Sequence, residues 1–319
     1  MKHIVGLIAA LACSGGALAQ DAFPSKAIRI VVPYSPGGAD TQMRALQPLL
    51  TPKLGQPLVI ENVPGAGGVV AANQVKAAAP DGYTLFFTGT AALTMVPNMR
   101  KDLTYGLADF APVGNMTGTP NVVGARADLP YKSMKELIAY ARANPGKVNM
   151  GSAGTGTLTH VVGAAVQTAG NVTFTHVPFK GVTDAVNAML GGSIDVVHGL
   201  PGVMMPHFKS GKLRPLAMTG SSRYEFLPEV PTLSESGVDF VDTSRFGLFA
   251  PKGLPQPVLQ RLAGAVEQAV KDPEYKVLME KISTGVLYHS PKEYQAVLED
   301  ESRRWAALIA NPKFAEAMK

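Results

Sequence analysis

Ala27-Ile28-Arg29-Ile30-Val31-Val32-Pro33-Tyr34-Ser35-Pro36-Gly37-Gly38 is the stretch from which the fold can be read. Its β-branched run reads as a strand, which Pro33 closes. Pro36-Gly37-Gly38 is a turn. Asp40 to Leu54 then places Met43, Leu46, Leu50 and Leu54 at helical spacing, with Pro48 a blemish. The order is strand, glycine-rich loop, helix, and it recurs. Leu58-Val59-Ile60 leads through Pro64-Gly65-Ala66-Gly67-Gly68 into an alanine-rich helix over 69–79. Tyr83 to Phe87 is a third strand, followed by Thr88-Gly89-Thr90. Such alternation predicts an α/β domain with a mostly parallel sheet.

Further along, Pro112-Val113-Gly114 and Asn121-Val122-Val123 read as extended segments that lead into a second unit of the same kind. Ser133-Met134-Lys135-Glu136 has the capping-box pattern and starts a helix to Ala143. Val148-Asn149-Met150 is a strand, then comes the loop Gly151 to Thr157 and a helix to Ala169. Strands over 172–177, 194–197 and 213–218 and a helix over 182–190 complete this unit. Phe246 to Phe249 reads as a strand returning to the first unit. Three helices close the chain, over 257–270, 273–281 and 291–310, each with proline at or near its start. Two crossings between units make a hinge and a cleft. The expected division is a leader over 1–19, a first lobe over 20–121 plus 246–319, and a second lobe over 122–245.

At 319 residues the chain suits two domains. Hydrophobic residues at 46% and charged residues at 17% exclude intrinsic disorder. Lys2 and His3, the apolar run Ile4 to Cys13 and the small residues of Ala17-Leu18-Ala19 form a secretory signal peptide, with cleavage expected after Ala19. A lipidated Cys13 is the alternative, but Ala10-Leu11-Ala12 lacks leucine at the usual place. After residue 20 no apolar run approaches the ~18 residues that span a membrane. Cys13 is the single cysteine, so the mature chain has none, which excludes a disulfide scaffold and suits an oxidising compartment. The formal charge is +5 and falls by one with Lys2. Lys and Arg are scattered singly, which favours small anionic molecules over nucleic acid.

Catalytic motifs fail one by one. Gly65-Ala66-Gly67-Gly68-Val69-Val70 has valine where a dinucleotide fingerprint needs its last glycine, and Gly151 to Thr157 lacks the Gly-Lys-Ser/Thr of a P-loop. No serine lies in a Gly-x-Ser-x-Gly elbow. His3, His160, His176, His198, His207 and His289 include no helical metal pair, and no metal or other cofactor is expected. Spacing alone leaves a nonsequential Ser/His/Asp triad open. What remains is four glycine-rich loops after strands, whose backbone N–H groups suit a carboxylate or phosphate.

At these loops the sequence resembles the Bug family, the periplasmic solute receptors of tripartite tricarboxylate transporters (TctC-like). The matching segments include Pro24 to Gly38, Glu61 to Gly68, Ala79 to Leu85, Ser152 to His160, His176 to Gly181, Gly192 to Asp195, Leu227 to Leu233 and Phe246 to Pro251. The resemblance implies a type II, Venus-flytrap binding protein: two α/β lobes with mostly parallel sheets closing on a small carboxylated solute. It implies a monomer that delivers its solute to membrane transporter subunits and does no bond chemistry. A ligand sensor for a membrane histidine kinase and a periplasmic hydrolase are the rival readings.

Carried onto this chain, the first wall would be Tyr34, Ser35, Pro36, Gly37, Gly38 and Ala39 with Gly65, Ala66 and Gly67. Thr88, Gly89 and Thr90 would add hydroxyls. Ser152, Ala153, Gly154, Thr155, Gly156 and Thr157 would receive the anionic end. Phe179, Lys180 and Gly181 would bring an aromatic face and a cation, and Asp195 would orient loop amides. The segment Ala39 to Arg44 is one residue short of the family pattern. Arg245 stands where that pattern has tryptophan. Pairing of Arg245 with a second ligand carboxylate is one reading, and a solvated surface arginine is the other.

Overall fold

The computed structural model describes residues 23–100 and 102–318, so the expected signal peptide over 1–19 lies outside them. The chain runs β1 (Ile28–Val32), α1 (Ala39–Leu54), β2 (Leu58–Asn62), α2 (Val69–Lys76) and β3 (Thr84–Gly89). Two short helices follow, α3 (Ala91–Thr94) and α4 (Val96–Met99), then the long β4 (Phe110–Thr119). The middle of the chain is β5 (Val122–Arg126), α5 (Met134–Ala143), β6 (Asn149–Ser152), α6 (Leu158–Gly170), β7 (Thr175–Pro178), α7 (Val182–Leu190), β8 (Val196–Gly199), α8 (Pro201–Lys209) and β9 (Leu213–Met218). β10 (Ser244–Pro251), α9 (Gln256–Val270), α10 (Pro273–Lys281), β11 (Val286–His289), α11 (Pro291–Ile309) and α12 (Pro312–Ala317) complete it.

The strands form two sheets, ordered β11-β4-β10-β3-β1-β2 and β7-β6-β8-β5-β9. Side-chain alternation explains why each is covered on both faces. In β1, Ile28, Ile30 and Val32 pack with Met43, Leu46 and Leu50 of α1 and with Leu262 and Val266 of α9. Val31 points the other way, to Ala71, Ala72 and Val75 of α2 and Leu298 of α11. β3 alternates likewise: Leu85 and Phe87 join the first group, Phe86 the second. In the smaller sheet, Val123, Met150 and Val196 face α5 and α6, whereas Val122, Val197 and Met218 face α7 and α8. Each such fully buried aliphatic side chain contributes roughly 1.5–3 kcal/mol.

Both sheets are mixed rather than mostly parallel. β1, β2 and β3 pair in parallel, as do β6, β7 and β8, but β10 is antiparallel to β3 and β4, and β5 is antiparallel to β8 and β9. β4, β5, β9 and β10, where the chain crosses between the sheets, all take part in these antiparallel pairs, and β11 is antiparallel to β4 as well. α1 continues through Pro48 and also Pro52, because Leu46, Leu49, Leu50 and Leu54 are held in the core. Ser133 caps α5 as expected: its Oγ accepts from the Glu136 N–H, at 3.2 Å.

The crossings lie side by side. Asn121 Nδ2 donates to Ser244 Oγ at 2.9 Å, and the Asn121 and Asp242 N–H groups are bonded to Thr219 Oγ1 and the Thr219 carbonyl. The C-terminus does not stay with the six-stranded sheet. α12 packs on α6, and Trp305 and Phe314 enter the cluster formed by Leu158, Val161 and Phe240.

Candidate functional site

A cavity of about 810 Å³, counting its open mouth, lies between the two sheets. The N-termini of α1, α6 and α7 all reach it, through Gly38 and Ala39, through Thr157, Leu158 and Thr159, and through Gly181, Val182 and Thr183. The first N–H groups of a helix have no intrahelical acceptor and carry its positive dipole end. Three such ends around one space suit an anion without a buried counter-ion.

These loops are built for that role by their own side chains. Asp40, 2% exposed, accepts from the Gly37 N–H, Arg44 Nε and Asn62 Nδ2, and Asn62 in turn donates to the Tyr34 carbonyl. The shortened segment after Gly38 therefore leads straight into α1, with its loop tied to β2. Across the cavity, the N–H groups of Ala153, Gly154 and Gly156 are taken by Thr159 Oγ1, Ser152 Oγ and His160 Nδ1. The Leu158 and Thr159 N–H groups on that wall open α6 and have no intrahelical acceptor.

Of the residues expected from sequence, Tyr34, Ser35, Gly37, Gly38, Ala39, Gly67, Gly89, Thr90, Ala153, Thr157, Gly181 and Arg245 line this inner cavity. Gly65, Ala66, Gly154, Thr155, Gly156, Phe179 and Lys180 line an outer groove instead. Gly67 and Ala153 border both, so they mark the neck between them. Pro36 is exposed and lines neither space. Thr88 is wholly buried in β3. Asp195 lies away from the cleft, where it accepts from the Asn149 N–H at 2.8 Å and faces Arg126, so it orders the strands and touches no cavity.

Two expectations change in kind. Lys180 is exposed on the outer groove, so the cation and aromatic face expected at 179–180 do not reach the inner cavity. Arg245 does reach it, but its Nη1 lies 2.6 Å from Oε1 of Glu301, a residue 2% exposed. The guanidinium is already paired through Nη1, so it is not a solvated surface arginine, and its Nε is buried without a hydrogen-bond partner among the described residues. Burial, opposed by Arg245, raises the Glu301 pKa above its ordinary value. Trp305 of α11 lines the same cavity.

Sequence reasoning overlooked Asn121, Thr159, Thr183, Asp242 and Trp305 as lining residues. Thr159 and Thr183 are the second residues of the helices that follow the expected loops, and helix starts after such loops would have flagged them. Asp242 and Trp305 carry no local signal.

Ser152 Oγ and His176 Nε2 are 2.6 Å apart, the spacing of a catalytic pair. Ser152 is wholly buried and borders neither space, and its Oγ also accepts from the Gly154 N–H, so the pair organises the loop. His176 stacks on His160 with centroids 3.7 Å apart, and His198 is wholly buried nearby. Burial lowers all three pKa values: His160 to about 3, with help from His176 and His198; His198 to about 4; His176 by burial alone. These rings are neutral in the fold and must charge in acid. Stability is fully present above the ordinary histidine value of 6.5 and is lost as pH falls through about 4 and then 3. Urea unfolding between pH 7 and 4 is expected to show a loss of a few kcal/mol, and His198→Leu is expected to flatten it. Equal slopes for both proteins would contradict this.

Two lobes, a cleft of helix N-termini and two adjacent crossings define a solute receptor of the periplasmic binding type. The chain belongs to the TctC family, the tripartite tricarboxylate transporter family receptors, whose pattern it matches over residues 42–313. A UPF0065 protein from the gbd 5′ region of Cupriavidus necator is 36% identical over 331 residues, 99% of each chain. The periplasmic binding protein BugD superposes with a TM-score of 0.86 at 31% identity, covering 92% of this chain and 98% of its own. MatC from Rhodopseudomonas palustris, with bound malate, superposes with a TM-score of 0.84 at 28% identity, covering 93% of this chain and all of its own. The resemblance carried by the loops is thus the family of the whole chain, and family and fold are those of solute-binding receptors. Among the described residues, no helix is long and apolar enough to cross a membrane.

Proposed function

We propose that this protein is an exported periplasmic receptor that captures one small organic carboxylate in the inner cavity and hands it to the membrane subunits of its transporter. The carrying observation is the convergence of α1, α6 and α7 N-termini on a cavity closed from two sides. Backbone N–H groups and the Thr183 hydroxyl hold the carboxylate, since the hydroxyls of Ser35 and Thr157 already donate to Asp184 and to the Gly154 carbonyl, and no bond is made or broken. Residues 1–19 direct export and are removed after Ala19. The bodies that close are residues 20–121 plus 246–319 and residues 122–245, turning about Asn121 and the Asp242–Ser244 segment. This division is supported by the paired crossings, and α12 leans across it. The receptor acts as a monomer, and closure is a ligand-dependent population shift.

Trp305 is the single tryptophan and lines the cavity, so it reports occupancy directly. Titration with malate, succinate, glutarate, adipate and benzoate, and with the corresponding amino acids, is expected to give a saturable fluorescence change and a raised Tm for at least one. No saturable change with any carboxylate would overturn the proposal.

A further inference from the structure

Among the described residues, two charged ones line the inner cavity, Asp242 and Arg245. They are not equivalent. Arg245 is neutralised by Glu301, 2.6 Å away, and its Nη1 also donates to the Thr243 carbonyl. Asp242 has no cation within ion-pair distance among the described residues. Its main chain is pinned on both sides, since its N–H donates to the Thr219 carbonyl and its carbonyl accepts from Thr219 Oγ1, each at 2.8 Å. The carboxyl borders the cavity and meets the Thr243 N–H but no cation.

A cavity with this arrangement has two electrostatic ends. Helix N-termini from α1, α6 and α7 favour an anion. Beside the crossing, the uncompensated group is a carboxyl. A second ligand carboxylate at that end would meet Asp242 with Glu301 behind it, and like charges at short range are strongly unfavourable. A ligand ammonium would instead give Asp242 the partner it lacks, as a charge-assisted hydrogen bond.

Resting on the carboxylate-receptor reading, we propose that Asp242 is a specificity-determining residue that takes a protonated amino group, so that this receptor selects amino carboxylates over the same acids without nitrogen. Burial first, and Glu301 second, raise the Asp242 pKa to about 7, and Arg245 and Arg304 oppose this. A ligand ammonium beside Asp242 would favour the carboxylate form. The charged groups that face Asp242 are Arg245 from β10 and Glu301 and Arg304 from α11.

The test is calorimetric titration with matched pairs: aspartate against succinate, glutamate against glutarate, 4-aminobutyrate against butyrate, and phenylalanine against 3-phenylpropionate. The amino member of the binding pair is expected to bind at least about tenfold tighter, with the advantage growing from pH 6 to pH 8. Asp242→Asn is expected to remove most of that advantage, with circular dichroism confirming its fold. Carboxylate binding without an amino advantage overturns this proposal and leaves the receptor reading intact. So does an advantage that Asp242→Asn retains. Binding of no carboxylate at all, here or in the wider screen, overturns both. The native-protein comparison decides the matter even if the variant does not fold.

Discussion

Gly67→Val is expected to weaken carboxylate binding by about ten- to a hundredfold while leaving both sheets folded. Gly67 sits at the neck of the cleft with φ +69°, and a Cβ there would come within 2.9 Å of the Thr155 carbonyl oxygen on the opposite wall. That oxygen belongs to backbone, so it cannot swing aside as a side chain would. Two effects separate cleanly. The left-handed backbone strains valine by about 1–2 kcal/mol whether the cleft is open or shut, which lowers Tm. The clash with Thr155 exists only in the closed form, and overpacking of that kind costs about 1–3 kcal/mol. Only this second part enters the affinity, because a ligand pays for closure from its own binding energy. Fluorescence titration of Trp305 and a Tm measurement on the same variant resolve the two. An unchanged affinity would mean that the walls do not meet at Gly67 when the ligand is held.

The Arg245–Glu301 pair carries the second large effect. Removing one partner from a buried ion pair costs about 3–5 kcal/mol, whereas replacing both with apolar groups of similar size is near neutral. The two residues are unequal, since the Arg245 side chain is 22% exposed and that of Glu301 is 2% exposed. A lone Arg245 can turn towards water, but a lone Glu301 cannot. Arg245→Met is therefore expected to be the more damaging single change at pH 7.5, towards the upper part of that range, and Glu301→Leu the milder one. The double variant is expected to recover most of the loss. Burial already holds the Glu301 pKa above its ordinary value, and loss of Arg245 raises it further. A carboxyl with a raised folded pKa favours the fold at low pH and loses that contribution as pH rises. So Arg245→Met is expected to be less unstable at pH 5 than at pH 7.5. Urea unfolding of the four proteins at both pH values checks this, and additive single effects would contradict it.

The loops that shape the cavity are legible in the sequence because they are made by local rules. Glycine and proline after a β-branched run mark a strand end, and the helix that follows supplies the amide donors, as at Val32 to Ala39 and Ser152 to Leu158. What escapes is non-local or short. β11 has four residues and owes its pairing with β4 to Gly118, against which Leu287 packs closely. α8 contains Pro206 and Gly202, which read as breakers, yet Met204 and Met205 are buried and hold it. The parallel expectation fails at β4, β5, β9 and β10 because strand direction follows from where the chain crosses, which no residue pattern encodes. The site divides in the same way. Ser35, Gly37, Gly38 and Thr157 lie in loops before helices and border the inner cavity, whereas the partner of Arg245 lies 56 residues away on α11. Trp305 and Asp242 reach the cavity only through packing between distant segments.

The receptor reading is tested most directly by a crystal structure of this protein with the tightest carboxylate from the titration series. The expected result is the carboxylate inside the inner cavity, its oxygens against the N–H groups that open α6 and the loop from Ser35 to Ala39. Density confined to the outer groove beside Lys180, or binding anywhere off the cleft, would contradict it.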